Sequence, residues 1–278
     1  MLTTSNPLNR LIHFLLFLHF FSCNDNSRPV SVAQVEQNAQ PIKVAKSDSV
    51  PSNVKTLMRF YPDIVAFENN YLVMSNGEKI LYDDHKQKSI SELLDDPDVE
   101  DTFYWRYDSK SEKPRNKEDA GRIRNEKFLK TLYGNSQENV RKNLKSFVWC
   151  PKLVNQTVLF NKKNGAMEAL KRVSDELDLH PEWKKYLSNI GGTFNWRNIS
   201  GTNRLSAHSF GITIDINTGF SNYWQWDCDC KNEETDLVYK NRIPTELVKI
   251  FEKNGFIWGG RWYHYDTMHF EYRPEMIQ

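Results

Sequence analysis

This 278-residue chain has almost no net charge: 37 Lys and Arg stand against 36 Asp and Glu, a balance of +1. A nucleic-acid binder ordinarily concentrates a basic surface that displaces counterions, so the composition gives no case for nucleic acid. Cysteine is scarce. Cys23, Cys150, Cys228 and Cys230 are the whole set, too few and too oddly spaced for a structural zinc knuckle. Long hydrophobic runs are missing as well. Leu11 to Phe21 is apolar but broken by His13 and His19, and it is far shorter than the ~20 residues a spanning helix needs. There is no internal repeat, no His-Glu-x-x-His segment, no nucleotide loop and no nucleophile elbow. Aromatics are plentiful, with 8 Trp, 12 Tyr and 16 Phe. Such a chain can bury a substantial core, which excludes disorder throughout, and its length allows one large or two small domains.

The apolar run suits the core of a signal peptide. Ser22 and Cys23 end it, and polar Asn24, Asp25 and Asn26 follow. A small residue followed by Cys at this point resembles a bacterial lipoprotein signal, with Phe20 and Phe21 departing from the usual small and Leu residues. The resemblance implies export to the periplasm or cell envelope and lipidation of Cys23 as a membrane anchor. The alternative is an ordinary cleaved signal in which Cys23 is incidental. Asn24 to about Ser52 has no sustained periodicity and reads as a flexible tether. In an oxidising compartment Cys150 is available to pair with Cys228 or Cys230, leaving one thiol free; the other reading is three unpaired thiols.

Order is expected from about Val54. Tyr71 to Tyr82 reads as a hairpin around Asn76-Gly77. Residues 87 to 118 are dense in charge and read as a solvated surface segment with short turns. Arg122 to Tyr133 spaces its apolar residues for one helix face, and Val140 to Phe147 reads as a second helix ended before Pro151. Leu153 to Phe160 alternates as a strand. Gly165 to Leu177 is amphipathic, and Pro181 to Leu187 adds a short helix. Gly191 to Arg197 reads as a strand entered through a Gly-Gly turn. Pro244 to Asn254 reads as a helix capped by Gly255, with Phe256 to Gly260 a short strand and turn beyond it.

Two stretches carry the chemistry. In Ser206-Ala207-His208-Ser209-Phe210-Gly211-Ile212-Thr213-Ile214-Asp215, a histidine and an aspartate are seven residues apart. A straight strand would hold them more than ~20 Å apart and on opposite faces. The spacing therefore demands a bend at Ser209–Gly211, and Gly211 makes one without a Cβ penalty. The bland alternative is a surface or capping His208 and an Asp215 that ends a strand. Asp266-Thr267-Met268-His269-Phe270-Glu271 changes that balance. Its alternation turns Met268, Phe270 and Tyr272 to the core and His269 and Glu271 to the opposite face. Two histidines and one carboxylate are a full protein ligand set for a catalytic zinc, whose fourth position is kept for water. Asp266 is placed where a general base is needed.

Ser-x-His-x-x-Gly-x-x-x-Asp, followed by Trp258-Gly259-Gly260-x-Trp262 and Asp266-x-Met268-His269-Phe270-Glu271, resembles the zinc D-Ala-D-Ala carboxypeptidase family. That family includes VanY-type carboxypeptidases and phage L-alanyl-D-glutamate endopeptidases, and it shares its fold with the zinc domain of Hedgehog proteins. The resemblance covers roughly residues 190 to 273. It implies an α+β fold in which a small antiparallel sheet carries a zinc site flanked by helices. It implies Zn2+ held by His208, Asp215 and His269, Asp266 as the catalytic base, and Arg197 holding the substrate or its oxyanion. It places Ser206 close to the substrate, and Trp262 is a candidate for lining the cleft. Thr213 stands where Ala is frequent, and the insert Tyr223 to Cys230 lies outside the pattern. The division implied is a signal peptide (1–22), a tether (23–52), an N-terminal accessory region (53–150) and a zinc peptidase domain (151–278).

The substrate implied is a peptidoglycan stem peptide, cut at D-Ala-D-Ala or within the stem. His264 is a candidate donor, or else a surface histidine or one that only supports a ligand. Glu271 is a partner orienting a ligand or an exposed strand residue. The alternative from another class is an inactive, zinc-stabilised module for binding cell wall or protein, with the tryptophan-rich insert as its contact. Asp266 argues for the enzyme, because a binding module needs no base.

Overall fold

A computed structural model describes residues 50–277. The expected signal peptide, the lipidation at Cys23 and the tether up to residue 49 lie outside the described residues. Helix α1 (Ser52–Phe60) turns Val54 and Leu57 inward. An antiparallel meander follows, β1 (Ile64–Glu68), β2 (Tyr71–Met74) and β3 (Lys79–Leu81). The expected hairpin is its second half, with Tyr71 opposite Leu81 and Gly77 at φ +83°. β1 carries little alternation of its own and is defined by pairing with β2.

The stretch from 87 to 118 departs from a uniformly solvated surface. Helix α2 (Ile90–Asp95) opens with a capping box between Ser89 and Glu92 and buries Leu93 and Leu94. The Lys88 side chain is only 6% exposed, and its ammonium is ringed by Asp84, Asp98 and Asp101. The charges pair with one another, and this is what lets them leave water. Tyr107 is buried too, and its hydroxyl donates to Glu252 Oε1 at 2.6 Å.

Helix α3 spans Glu126–Tyr133, starting later than the apolar spacing predicts. Asn125 is the reason: its side chain accepts the Phe128 N–H at 2.7 Å and caps the helix. Arg122 and Arg124 are left in irregular chain ahead of it. The second expected helix is also corrected. Helix α4 is confined to Gln137–Arg141, and Leu144–Trp149 is strand β4, paired along its length with β5 (Gln156–Asn161). The Cys150 carbonyl accepts the N–H groups of Leu153, Val154 and Asn155, so Leu153 belongs to a turn and not to the strand. Cross-strand pairing has overridden a locally helical pattern here.

Helices α5 (Ala166–Leu177) and α6 (Lys184–Leu187) lead to strand β6, which is only Ile190–Gly192. The expected strand to Arg197 stops at Gly192, φ +142°, where the chain leaves the sheet and Asn195 N–H donates to the His208 carbonyl at 3.2 Å. Strand β7 (Thr213–Asn217), helix α7 (Trp224–Cys228), helix α8 (Thr245–Lys253), strand β8 (Phe256–Trp258) and strand β9 (His269–Tyr272) complete the order. The last sheet is antiparallel throughout, in the order β6-β7-β9-β8. The architecture is α+β, as expected.

One apolar cluster runs from Val54 and Leu57 of α1 to Phe270 and Tyr272 of β9. Residues on both sides of position 150 therefore share a core. Its centre is aromatic: Phe251 of α8 stacks on Phe270 with ring centroids 3.8 Å apart and meets Phe256 edge-on at 5.7 Å. The cysteine expectations are corrected. Cys228 pairs with Cys230 across one residue, and Cys150 is a free thiol. Cys150 cannot reach a partner because it is fully buried against α5, with its N–H donating to Ser174 Oγ at 2.7 Å. Burial pushes its thiol up to about 12. Among the described residues no helix is long and apolar enough to cross a membrane.

Phe251→Ala removes the ring at the middle of this cluster. It is expected to destabilise the fold by about 3–5 kcal/mol, read as a lower urea midpoint with an unchanged slope.

Candidate metal centre

The bend that the spacing of His208 and Asp215 demands is a turn of 3-10 helix, Ala207–Phe210, ended by Gly211 at φ +66°. Ser206 caps it, its hydroxyl accepting the His208 N–H at 3.4 Å. Gly211 is required twice over. Its φ lies in the left-handed region, and a Cβ there would meet Leu144 Cδ2 at 2.5 Å. Beyond the turn β7 pairs with β9 so that Asp215 is directly opposite His269, Ile214 opposite Phe270 and Thr213 opposite Glu271.

The turn and the register together bring three donors to one point. His208 Nε2 is 3.0 Å from Asp215 Oδ2, and His269 Nδ1 is 3.2 Å from Asp215 Oδ1. The ligand atoms of all three residues lie within 4.8 Å of one another. Metal–ligand bonds of about 2.0–2.1 Å place tetrahedral donors about 3.3 Å apart, so the set fits a small divalent ion.

The tautomers fit as well. The Thr193 carbonyl faces His208 Nδ1 at 2.8 Å. A carbonyl only accepts, so Nδ1 carries the proton and Nε2 offers its lone pair. Glu271 Oε2 faces His269 Nε2 at 3.5 Å, which leaves Nδ1 as the donor atom of that ring. Burial works against the charge of Asp215, but the two imidazoles outweigh it and hold its carboxyl well below the usual range. Burial alone would lower His269; Asp215 and Glu271 raise it to about 9.

Asp266 is half-buried, with its Oδ1 atom turned out of solvent. Its Oδ1 has no hydrogen-bond partner among the described residues. Burial pushes its carboxyl up to about 7, with the charge of Asp215 adding and the His269 and His208 rings opposing. Its loop closes because Gly259 has no side chain: a Cβ there would meet the Asp266 carbonyl at 2.5 Å.

The remaining expected site residues divide. Ser206 is 5% exposed and supports the turn that carries His208. Trp262 is also 5% exposed, its indole N–H donates to the Ala120 carbonyl, and its ring is 5.3 Å from that of His269. Arg197 is exposed. Its guanidinium donates to the Asn198 carbonyl at 3.2 Å and enters no ion pair of the cluster, while its backbone is tied to the Ser209 hydroxyl.

His264 is buried, with Asp119 Oδ2 2.7 Å from Nδ1 and the Glu233 carbonyl 2.9 Å from Nε2. Glu271 is wholly buried; Arg124 grips it through Nε and Nη2 at 2.6 to 3.0 Å, and Arg273 approaches at 3.4 Å. Asp119, Arg122, Arg124 and Glu233 were not legible as site residues. The two arginines look like the solvated face of a helix until Asn125 is recognised as its cap.

Residues 200–272 match a family model described as D-alanyl-D-alanine carboxypeptidase. The matched segment contains the His208 turn, Asp215, Asp266 and His269. No curated protein and no solved structure matches the chain. The family match supports a peptidase acting on cell-wall peptides, of a kind that generally depends on a metal.

Three outcomes follow from this geometry. Arg124→Met strands the Glu271 carboxylate in the interior and should cost about 3–5 kcal/mol in urea unfolding. Gly211→Ala should destabilise by about 1–3 kcal/mol and weaken metal uptake measured by equilibrium dialysis. Burial opposes the charge of Asp119, but Arg122 and the His264 ring outweigh it and bring its pKa from 3.8 down to about 2. That stability is present above pH about 4 and is lost as pH falls through about 2. Its full size is about 2 kcal/mol, and Asp119→Asn should flatten this limb of the acid-unfolding curve.

Proposed function

We propose that the chain is a zinc-dependent peptidase that hydrolyses peptide bonds in peptidoglycan stem peptides. His208, Asp215 and His269 would hold the ion, and Asp266 would handle the proton. The observation that carries this reading is the buried, unpartnered Asp266 Oδ1 next to three convergent donors. An unpartnered buried polar atom is costly, and a catalytic base is a reason to keep one. An inactive binding module has no such reason.

Bound at these donors, a divalent ion supplies a polarised water and an electrophile for the substrate carbonyl. The chain's own groups do the rest. Burial holds the Asp266 carboxyl above its ordinary value, which makes it the stronger proton acceptor. That suits a group that takes the proton of the attacking water and then gives it to the leaving amine. The Thr193 carbonyl and Glu271 orient the two imidazoles. Trp262 lies against the His269 ring on a buried face and keeps water from that side. Export remains part of the proposal, and the Cys228–Cys230 disulfide supports an oxidising compartment. The lipid anchor at Cys23 rests on the sequence alone.

Incubation of zinc-loaded protein with muropeptides, followed by mass spectrometry, tests the reading. Loss of one alanine or a cut inside the stem is expected. Asp266→Ala should lower the rate by about 10²–10⁴-fold with zinc still bound, whereas His269→Ala should lose the metal. One equivalent of zinc with no product from any stem peptide would leave only the binding module.

A further inference from the structure

A cavity of about 160 Å³ shares a wall with the turn that carries His208, and three of its lining residues are Arg122, Arg124 and Arg204. Leu205 and Phe210, also in its wall, bracket the turn that carries His208. Arg124 belongs to both places. It grips Glu271, which faces His269, and its guanidinium lies 5.6 Å over the Trp262 ring.

Two of the three guanidiniums are already committed. Arg122 is paired with Asp119 at 2.8 Å and with Glu233 at 2.6 Å, and Arg124 with Glu271. Arg204 is not. Its side chain is 19% exposed, and its guanidinium donates no hydrogen bond among the described residues; the Nε is buried without a partner. Asp95 Oδ1 comes within 3.3 Å of that nitrogen without a hydrogen bond, on a side chain that is 63% exposed. Such a surface pair is weak and easily exchanged. Asp96 and Glu126 are the other acids in the wall; Glu126 is spent on the Leu205 N–H at 3.1 Å and on Lys130 at 2.6 Å.

The backbone holds Arg204 in place: its carbonyl accepts the Ile199 N–H at 2.9 Å, and the adjoining Leu205 bridges Asn198. A half-buried guanidinium beside two others, with its fork unfilled, is chemically incomplete. Burial, and then repulsion from Arg122, draw its pKa below the ordinary arginine value, with Asp95 and Glu233 opposing. The group that completes it is a planar anion able to take two N–H donors at once, which is a carboxylate.

We propose that Arg204 and this cavity form a subsite for a carboxylate of the peptide substrate, against the turn that carries His208 and separate from Arg197. The inference deepens the peptidase reading and rests on it for the ligand being a peptide. Two sources share this chemistry, the C-terminal carboxylate of a stem peptide and a carboxylate within the stem. The room beyond the guanidinium suffices for a carboxylate and the atoms that carry it.

The test uses the full zinc-loaded chain carrying Asp266→Ala and calorimetry, so that binding is read apart from turnover, and cleavage is followed separately with Asp266 intact. The probes are a stem pentapeptide ending in D-Ala-D-Ala, the same peptide amidated at its C-terminus, and the same peptide amidated at its internal carboxylate. One amidated form is expected to bind roughly ten- to hundredfold more weakly than the parent, and which one it is identifies the source. Arg204→Gln should reduce the parent peptide to the affinity of that amide, and Arg204→Lys should recover part of the difference. Equal affinity for all three peptides with Arg204 intact, or an equal loss on all three in Arg204→Gln, overturns the subsite. Arg204→Gln is first checked for an unchanged melting temperature, and Arg204→Lys replaces it if it fails to fold. Carboxylate-selective binding without cleavage supports the subsite and sinks the peptidase reading; cleavage without carboxylate selectivity does the reverse.

Discussion

The pairing of β7 with β9 is the constraint on which the rest depends. One register sets Asp215 opposite His269 and, two residues along, Thr213 opposite Glu271. A slip by one residue would turn His269 into the core and Phe270 to the site. The stacked rings of Phe251 and Phe270 lock the register from behind. Core packing on one face of β9 therefore fixes the geometry of the candidate metal centre on the other. The Gly211 turn then needs only to deliver His208 to a place the sheet has already defined.

The second feature is a chain of buried charge running away from that centre. His269 faces Glu271, Glu271 is held by Arg124 and Arg273, Arg273 pairs with Glu275, and Glu275 accepts from the Tyr61 hydroxyl. Burying such groups is costly unless every member is paired, and here each one is. It starts at the candidate metal centre and ends on the residue that follows α1. It gives the first part of the described chain a physical task, because without Arg124 the carboxylate orienting His269 loses its principal partner. Trp262 closes the same corner, between Arg124 on one side and His269 on the other.

A similar logic governs the insert around α7. Tyr223 bridges to Asp266 through the backbone, and the Cys228–Cys230 link closes the end of that helix. Glu233 then reaches Arg122 with its carboxylate and His264 with its carbonyl. Segments without a clear local pattern thus form the wall around the centre, and ion pairs hold them there.

How much was legible follows from the range of the forces involved. His208, Asp215, Asp266 and His269 were readable because their spacing is local: seven residues that must bend at a glycine, and an alternating run with an acid three residues ahead of its histidine. Helices α5 and α8 were readable for the same reason, since amphipathic spacing is written within one segment. Strand β4 was misread as helix because the partner that decides it, β5, lies across a turn. The late start of α3 depended on one side chain, Asn125, and with it went the places of Arg122 and Arg124. Cys150 looked available for a bridge, and only burial against α5 shows that it is not. By itself the sequence determined the donor set, the need for a bend between its first two members, and the α+β class. Tertiary structure alone decided which charges surround that donor set, because ion pairs such as Arg124 with Glu271 join residues far apart in the chain and exist only once the core has brought them together.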